Sequence, residues 1–203
     1  MSSTTGYHEY PHFSKESSRI VDYTSDEEIM LGDYSCEALR VWHFNPCSKS
    51  FSDLPAAPNL KYLEINFSNC INLIGLEKYP LLQRLDLNYC TKLESLDGVN
   101  NLSKEIFCLW IDHSQKLSNH SDVVALPNLR TLGMHSCVTI NSIEFLDDMK
   151  KLTMFAFLNT NIADGDLTPL IPHTPKFEFV SFSNKRHFSH KMKEMYRILD
   201  IQV

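Results

Sequence analysis

Apolar residues recur along the chain in one order: apolar, two variable residues, apolar, one variable residue, apolar, two variable residues and a small residue. The fourth and sixth positions of this nine-residue segment have mostly polar neighbours, which is typical of a strand buried on one face. The segment occurs seven times, beginning at Leu39, Leu60, Leu82, Ile106, Leu129, Leu152 and Phe177. The starts lie 21, 22, 24, 23, 23 and 25 residues apart, so the pattern predicts a repeat protein.

The ninth position holds a small residue that can turn the chain and hydrogen-bond the neighbouring backbone. Its occupants are Cys47, Ser68, Cys90, Ser114, Cys137 and Thr160. Three of the six cysteines therefore have a predicted structural role, and none forms a CxxC pair. Neither a secretory signal nor an apolar run near the roughly 18 residues of a membrane span is visible, so we expect reduced thiols in a cytoplasm.

A single repeat cannot bury its own apolar row, so the repeats must stack and form one parallel sheet. The segments between strands leave only short connections, which predicts short helical turns or loops rather than long helices. Proline stands before four of the strands, where it stops the preceding segment from continuing as helix. These residues are Pro58, Pro80, Pro127 and Pro175.

In period and template, the chain resembles leucine-rich-repeat (LRR) proteins from Cys36 to Lys185. The resemblance implies an α/β fold: a right-handed solenoid with a parallel sheet on its concave face, about seven repeats and a cap at each end. The predicted parts are an N-terminal arm and cap (1–37), the repeats (38–188) and a C-terminal capping helix (189–203). The stretch from Asn159 to Leu167 also resembles small bacterial LRR proteins.

Each end of the solenoid is predicted to carry a helical cap. Ser189 is a favourable N-cap residue for the C-terminal helix. An apolar stripe at helical spacing follows, formed by Met192, Met195, Tyr196 and Leu199. Ser25 and Glu28 form a capping-box pattern that predicts a short N-terminal helix. The first ~15 residues are either an ordered arm or a frayed tail.

The third, fifth and seventh template positions should point out of the core on the concave face. In the first repeat these are Val41, His43 and Asn45. Tyrosine, arginine and tryptophan on this face are residue types that carry interface energy, and the carboxylates beside them suit a basic partner. The predicted partner-binding residues are Tyr62, Glu64, Asn66, Arg84, Asp86, Asn88, Trp110, Asp112, His113 and His135.

Two structural alternatives stay open on that face. Trp110 could simply be packed by its neighbours, although Gly133 on the next strand leaves room beside it. Asn45, Asn66 and Asn88 could form a structural turn ladder instead of a binding row.

The sequence predicts a binding protein and not an enzyme. A glycine-rich phosphate loop, a nucleophile elbow and a paired-carboxylate motif are all missing. The histidine pairs in HEYPH and HFSH lack zinc-type companions, so we expect neither a metal nor a cofactor. The basic cluster between Lys185 and Arg197 is interpreted as a solvated capping face.

A net charge of −6 disfavours nucleic acid and anionic lipid as partners and favours a basic protein surface. The chain resembles the small, acidic, cytoplasmic bacterial LRR proteins that serve as immunity partners of toxins. Together with acidity, size and the absence of other domains, this resemblance implies that the chain blocks the active site of a basic toxin domain, as a monomer or in a 1:1 complex. The alternative is an LRR scaffold or adaptor with another protein partner.

Overall fold

The computed structural model describes residues 16–24, 35–102 and 104–202. Within them, eight parallel strands form one sheet in chain order, and a single α-helix follows. The strands are β1 (Ser18–Asp22), β2 (Ala38–Trp42), β3 (Tyr62–Asn66), β4 (Arg84–Asn88), β5 (Cys108–Asp112), β6 (Thr131–His135), β7 (Met154–Phe157) and β8 (Phe179–Phe182). The helix, α1, spans Met192–Leu199. This is the predicted LRR solenoid.

The apolar template positions form a continuous core because neighbouring strands pair in register. Leu63 lies beside Leu85, and Ile65 lies beside Leu87. All four side chains are fully buried. Removing one such side chain from water contributes about 1.5–3 kcal/mol, but only when the next repeat covers it. The template thus forces the repeats to stack.

Short 3-10 turns connect the strands on the convex side, as predicted. They are Phe51–Asp53, Leu76–Lys78, Val99–Asn101, His120–Ala125, Glu144–Asp148 and Thr168–Leu170. Gly75 begins one of these turns with a φ of 101°, in the left-handed region. A Cβ at Gly75 would lie 2.1 Å from the backbone nitrogen of Ser52, so only glycine fits where these turns approach each other.

Two occupants of the ninth template position bond to neighbouring backbone as predicted, whereas the buried Ser114 hydroxyl has no hydrogen-bond partner within the part of the chain that the structure describes. The Ser68 hydroxyl donates to the Phe44 carbonyl at 2.7 Å, and the Thr160 hydroxyl donates to the Met134 carbonyl at 2.6 Å. Burial raises the pKa of the Cys90 and Cys137 thiols to about 12, so both stay protonated at neutral pH. These two cysteines therefore fill a structural turn.

The register predicted for the first repeat is wrong by three residues. Leu39 pairs with Leu63 and Val41 with Ile65, so this repeat begins at Cys36. Val41 is buried and does not face the concave side. The concave residues of β2 are Ala38, Arg40 and Trp42.

The register was predicted wrongly because two alignments of the first repeat both fit the apolar template. The alignment from Cys36 places Phe44 at the ninth position, where the pattern calls for a small residue. The alignment from Leu39 places Cys47 there, but Cys47 lies exposed beyond the strand. In the structure Phe44 is buried at this turn, where the other repeats have a small side chain.

The structure adds an eighth strand, β1, inside the segment predicted to be an N-terminal arm and cap. The template does not detect this strand because Arg19 occupies a position that is apolar in the other repeats. Ile20 projects from the concave side and is exposed. The predicted helix at Ser25 and Glu28, and the first 15 residues, lie outside the described residues.

Helix α1 packs against β8 of the last repeat, with Met195 and Leu199 buried. Its N-cap is Lys191, however, and not Ser189. The Ser189 hydroxyl instead accepts a hydrogen bond from the backbone N–H of Leu167 at 2.9 Å, which ties the chain to the preceding repeat. With eight residues α1 is too short to cross a bilayer, and the described residues contain no helix that could do so.

Candidate functional site

A polar network lies on the concave face of β2 to β4. The Arg40 Nε donates to Glu64 Oε2 at 2.6 Å, and Arg84 makes a two-pronged ion pair with Asp86 at 2.9–3.1 Å. The Tyr62 hydroxyl lies between the two carboxylates, 2.8 Å from Glu64 Oε2 and 3.0 Å from Asp86 Oδ2. One tyrosine thus links both ion pairs into a single network.

The inner part of this network is enclosed. Tyr62, Arg84 and Asp86 are exposed by only 5%, 7% and 4%, and the Arg84 guanidinium also lies 5.5 Å from the centre of the Tyr62 ring. Burial raises the pKa of the Asp86 carboxyl, while Arg84 and Tyr62 act in the opposite direction. Three of the predicted partner-binding residues are therefore engaged with one another and offer little surface.

The outer carboxylate of the network, Glu64, is held in its charged form. Burial raises its pKa, but hydrogen bonds from Asn66, Arg40 and Tyr62 outweigh that effect and leave the pKa below its ordinary value. Arg40, its ion-pair partner, is 41% exposed at the side chain. The network presents its charge to solvent mainly through Arg40.

Asn66 and Asn88 form the ladder that the structural alternative predicted. The Asn88 side-chain amide donates to Asn66 Oδ1 at 3.1 Å, and the Asn66 amide donates to Glu64 Oε1 at 3.0 Å. Asn45 is not part of this ladder, because the shifted register places Trp42 in the row. The Asn45 amide donates to the carbonyl of His43 instead.

Trp110 lies on Gly133, where the next strand has no side chain. A Cβ at Gly133 would lie 2.3 Å from Trp110 Cε3, so the predicted room is real and the indole fills it. The ring is half-buried and meets His135 edge-on, with 4.5 Å between centroids. Burial lowers the pKa of His135, which keeps this imidazole neutral at pH 7. Trp110 is thus packed by neighbours and still reaches solvent.

Four rings stack along the edge of the sheet, just past the strand ends. We call them the aromatic ladder: His43, Phe67, Tyr89 and His113. Successive ring centroids lie 5.4, 4.9 and 4.3 Å apart, and the planes are within 17° of parallel. This spacing matches the strand spacing of about 4.8 Å, so the sheet itself sets the stack.

The backbone places these four rings in the same way. All four residues are left-handed, with φ between 54° and 58°. Each N–H donates to a carbonyl of the next repeat, as from Phe67 to Asn88 at 3.0 Å and from Tyr89 to Asp112 at 2.9 Å. A left-handed conformation costs a residue with a Cβ about 1–2 kcal/mol, and each stacked pair returns about 0.5–1.5 kcal/mol.

The ladder is exposed, and a carboxylate stands at each end. Phe67 is 40% exposed and Tyr89 is 41% exposed. At one end His43 Nδ1 lies 3.0 Å from the carboxylate of Asp22, whose pKa is lowered to about 2, chiefly by the backbone N–H of Thr24. At the other end His113 and Asp112 form a similar pair.

The His113 pair is close but differently oriented. His113 Nδ1 lies 2.8 Å from Asp112 Oδ1, an ion-pair distance at which the two groups are not aligned for a hydrogen bond. Of the ladder, only His113 was predicted from the sequence. The overlooked signal was the recurrence of rings at the eighth template position, which the template treats as variable.

Two rows of the face, the central concave row and the eighth template position, lack rings and charges from β6 onward. The central row continues as Gly133, Ala156 and Ser181, and the eighth position is Ser136 and then Asn159. Aromatic and charged chemistry is therefore concentrated on β2 to β5.

The HFSH histidines make local contacts. His187 Nε2 lies 3.0 Å from the Ile162 carbonyl oxygen, and His190 Nδ1 lies 2.9 Å from the Ser189 hydroxyl. Within residues 16–24, 35–102 and 104–202, no group of three or more His, Cys, Asp or Glu side chains is arranged to hold a metal ion.

Comparison with known proteins gives LRR relatives. The disease resistance protein RPS4B of Arabidopsis thaliana is 26% identical over 167 aligned residues, which cover 64% of this chain and 14% of that protein. The chain superimposes on an internalin (inlF) of Listeria monocytogenes with a TM-score of 0.54 and 18% identity, covering 74% of this chain and 44% of that one. A second internalin, inlC2, has a TM-score of 0.45 and 14% identity, with coverage of 73% and 69%.

No family model matches the sequence. The chain spans only about a seventh of the plant relative and less than half of the first internalin. The repeat, the parallel sheet and the superposition on the first internalin together give the chain the fold of a leucine-rich-repeat protein.

Proposed function

We propose that this chain is a protein-binding LRR module whose contact surface runs from Tyr62 to His135 and includes the aromatic ladder. One observation carries the proposal: the stacked rings of Phe67 and Tyr89 keep about two-fifths of their surface in water, on the same sheet as the half-buried Trp110. Contiguous exposed rings are costly in water and are enriched at protein interfaces.

The charges around these rings favour binding by a protein. The net charge of −6 and the partly exposed carboxylate of Asp112 suit a basic partner and repel nucleic acid. Eight strands at a spacing of about 4.8 Å give a face roughly 34 Å long, enough for a standard interface of about 800 Å² per partner. The ionisable groups of the inner network are paired with one another, which suits a rigid contact surface better than catalysis.

The predicted residues divide into two roles under this proposal. Trp110, Asp112, His113 and His135 keep exposed surface and touch the partner directly. Buried Tyr62, Arg84, Asp86 and Asn66 hold the face in shape, together with the half-buried Glu64 and Asn88.

The test needs variants that change the surface without opening the core. A partner captured by cross-linking in the source cells is purified, and its affinity is measured for the unmodified chain and for Trp110→Ala. We expect a loss of about tenfold or more, the size of an interface hot spot. Phe179→Ala is the matched control in the small-residue half of the face, and it should bind as the unmodified chain does. Equal affinity for Trp110→Ala would overturn the proposed surface.

The finer hypothesis is that the partner is a basic toxin domain that the chain neutralises in a cytoplasm, as a 1:1 complex. It is supported by the acidity of the chain and by the carboxylates on the proposed face. The alternative is an adaptor that joins other proteins. Co-expression with the product of a neighbouring toxin gene separates them: rescue of growth supports neutralisation, and an unrelated neighbour with no rescue supports the adaptor.

A further inference from the structure

The aromatic ladder ends at His113 because the next residue of the row is Ser136. One face of the His113 ring stacks on Tyr89 with 4.3 Å between centroids. Ser136 keeps the left-handed conformation, with φ 47°, and its N–H donates to the Leu158 carbonyl at 2.9 Å, as in the preceding repeats. The turn therefore continues while the row of stacked rings stops, and the His113 side chain keeps 37% of its surface exposed. We call the place next to His113 in this row, where Ser136 stands instead of a ring, the gap.

A carboxylate lies at this gap. Asp112 Oδ1 is 2.8 Å from His113 Nδ1, and the two side chains are 26% and 37% exposed. A ligand that fills the gap must therefore be flat, to continue the stack, and must tolerate a neighbouring negative charge. An anionic group fails the second condition, and a neutral ring leaves the carboxylate without a counter-charge.

We propose that the gap between His113 and Ser136 is the anchoring site for an arginine side chain of a protein partner. The guanidinium stacks on the open face of His113 and pairs with the Asp112 carboxylate. Arginine fits better than lysine because its head group is planar, weakly hydrated and able to bond a carboxylate through two N–H groups. This inference rests on the proposed protein-binding function and specifies the chemistry of the partner.

The opposite end of the ladder does not offer the same site. There Trp42 flanks the terminal ring His43, with 6.2 Å between centroids and a 48° tilt, and also contacts Phe67 at 5.8 Å. Because Trp42 contacts both rings, it lies along the side of the stack and restricts access to His43, although Asp22 supplies a carboxylate there. Among the described residues, His113 makes a ring contact with Tyr89 alone, so its end of the ladder is the more accessible one.

The experiment uses two short probes, an acetylated and amidated tetra-arginine peptide and its tetra-lysine counterpart, followed by NMR of the His113 and Tyr89 ring signals. We expect the arginine peptide to shift these signals and to bind about fivefold more tightly than the lysine peptide, a difference of one exposed stacking interaction. Asp112→Asn should weaken arginine binding by a similar factor.

The decisive variant fills the gap. Ser136→Tyr places a fifth ring on His113, and the fold should tolerate it because Tyr89 adopts the same backbone conformation. We expect arginine binding to be lost in Ser136→Tyr and kept in Asn159→Tyr, the matched control one repeat further on. Equal binding of the two peptides, or unchanged binding by Ser136→Tyr, would overturn the inference.

Failure of this inference is distinguishable from failure of the proposed function. The peptide measurements need no natural partner. A purified partner that loses affinity for Trp110→Ala but not for Ser136→Tyr would retain the protein-binding surface and remove the arginine site.

Discussion

The sheet has two halves that share a backbone and differ in surface chemistry. In the first half, β2 to β5, the central concave row is Arg40, Glu64, Asp86 and Trp110, and the turn that follows each strand carries a ring. In the second half, β6 to β8, the central row is Gly133, Ala156 and Ser181. Both halves keep the left-handed turn and its N–H bond to the next repeat.

The difference shows that the scaffold and the surface are specified separately. Buried positions one, four and six set the stacking in both halves, whereas the outward positions are free to vary. Rings occupy a strained turn position in the first half, where serine or asparagine would fit as well or better. Stacking offsets that strain within the chain, and the exposed edges remain available to a partner.

The largest expected effect is on the polar network of the first half. Arg84→Met leaves the Asp86 carboxylate buried without its ion-pair partner, which should lower the free energy of unfolding by about 3–5 kcal/mol. Urea denaturation measures the change. The double variant Arg84→Met/Asp86→Leu removes both charges and should recover most of the loss. In the second half, Ser181→Ala should change stability by no more than about 0.5 kcal/mol. Equal losses of stability in Arg84→Met and Ser181→Ala would contradict the difference between the two halves.

The largest single contribution to acid sensitivity should come from a buried histidine on the convex side of the solenoid. Burial lowers the pKa of His120, in a convex turn, from 6.5 to about 4. The unfolded chain therefore binds the proton first, and stability is lost as the pH falls from about 6.5 to about 4, by about 3 kcal/mol in total. The difference between the urea midpoints at pH 7 and pH 4.5 should shrink in His120→Phe, and His135 and Glu64, whose pKa values are also lowered, account for the smaller remainder. An undiminished acid loss in that variant would assign the effect elsewhere.

The boundary between the halves is tested at Gly133. In Gly133→Ala the new methyl group would meet the Trp110 ring at 2.3 Å, so the indole must move. We expect a loss of about 1–3 kcal/mol, typical of overpacking, and a shift in tryptophan emission when Trp42 is replaced by Phe in the background. Ser181→Ala in the same row is the control. An unshifted emission spectrum would mean that Trp110 does not rest on this strand.

Exchanging residues between the halves should have the smallest effect on stability. Tyr89→Asn removes two ring contacts but relieves a left-handed aromatic residue, so the net change should be within about 1 kcal/mol. The reverse exchange, Asn159→Tyr, adds strain without a partner ring and should be mildly destabilising. Thermal unfolding of both variants checks the sign. A decrease of several kcal/mol in the free energy of unfolding of Tyr89→Asn would show that the aromatic ladder serves mainly to stabilise the fold.

The solenoid could be predicted from the sequence because its signal is repeated. Apolar residues at the fourth and sixth positions of successive segments leave one arrangement that buries them all. The first repeat was misplaced because Trp42 and Phe44 imitate the apolar template three residues late. Strand β1 was missed because it follows the template only at Val21, which packs beside Val41.

The site was only partly predictable, for two physical reasons. Which residues face outward follows from the period, but which outward side chains bond to each other does not. Tyr62 and Arg84 were predicted to be exposed anchors, but Tyr62 bonds to Glu64 and Asp86, Arg84 bonds to Asp86, and both side chains are buried. The ladder depends on a left-handed turn that brings Phe67 over Tyr89, and a strand template carries no information about that turn.

The most direct test of the account is the affinity of one purified partner for two double variants, one in each half. Tyr89→Asn/Trp110→Ala removes rings from the first half, and Met154→Ala/Phe179→Ala trims the second half to the same extent. We predict a loss of at least about tenfold for the first variant and a change of less than about twofold for the second. The opposite order, or equal losses, would contradict the proposal that the partner binds mainly through β2 to β5.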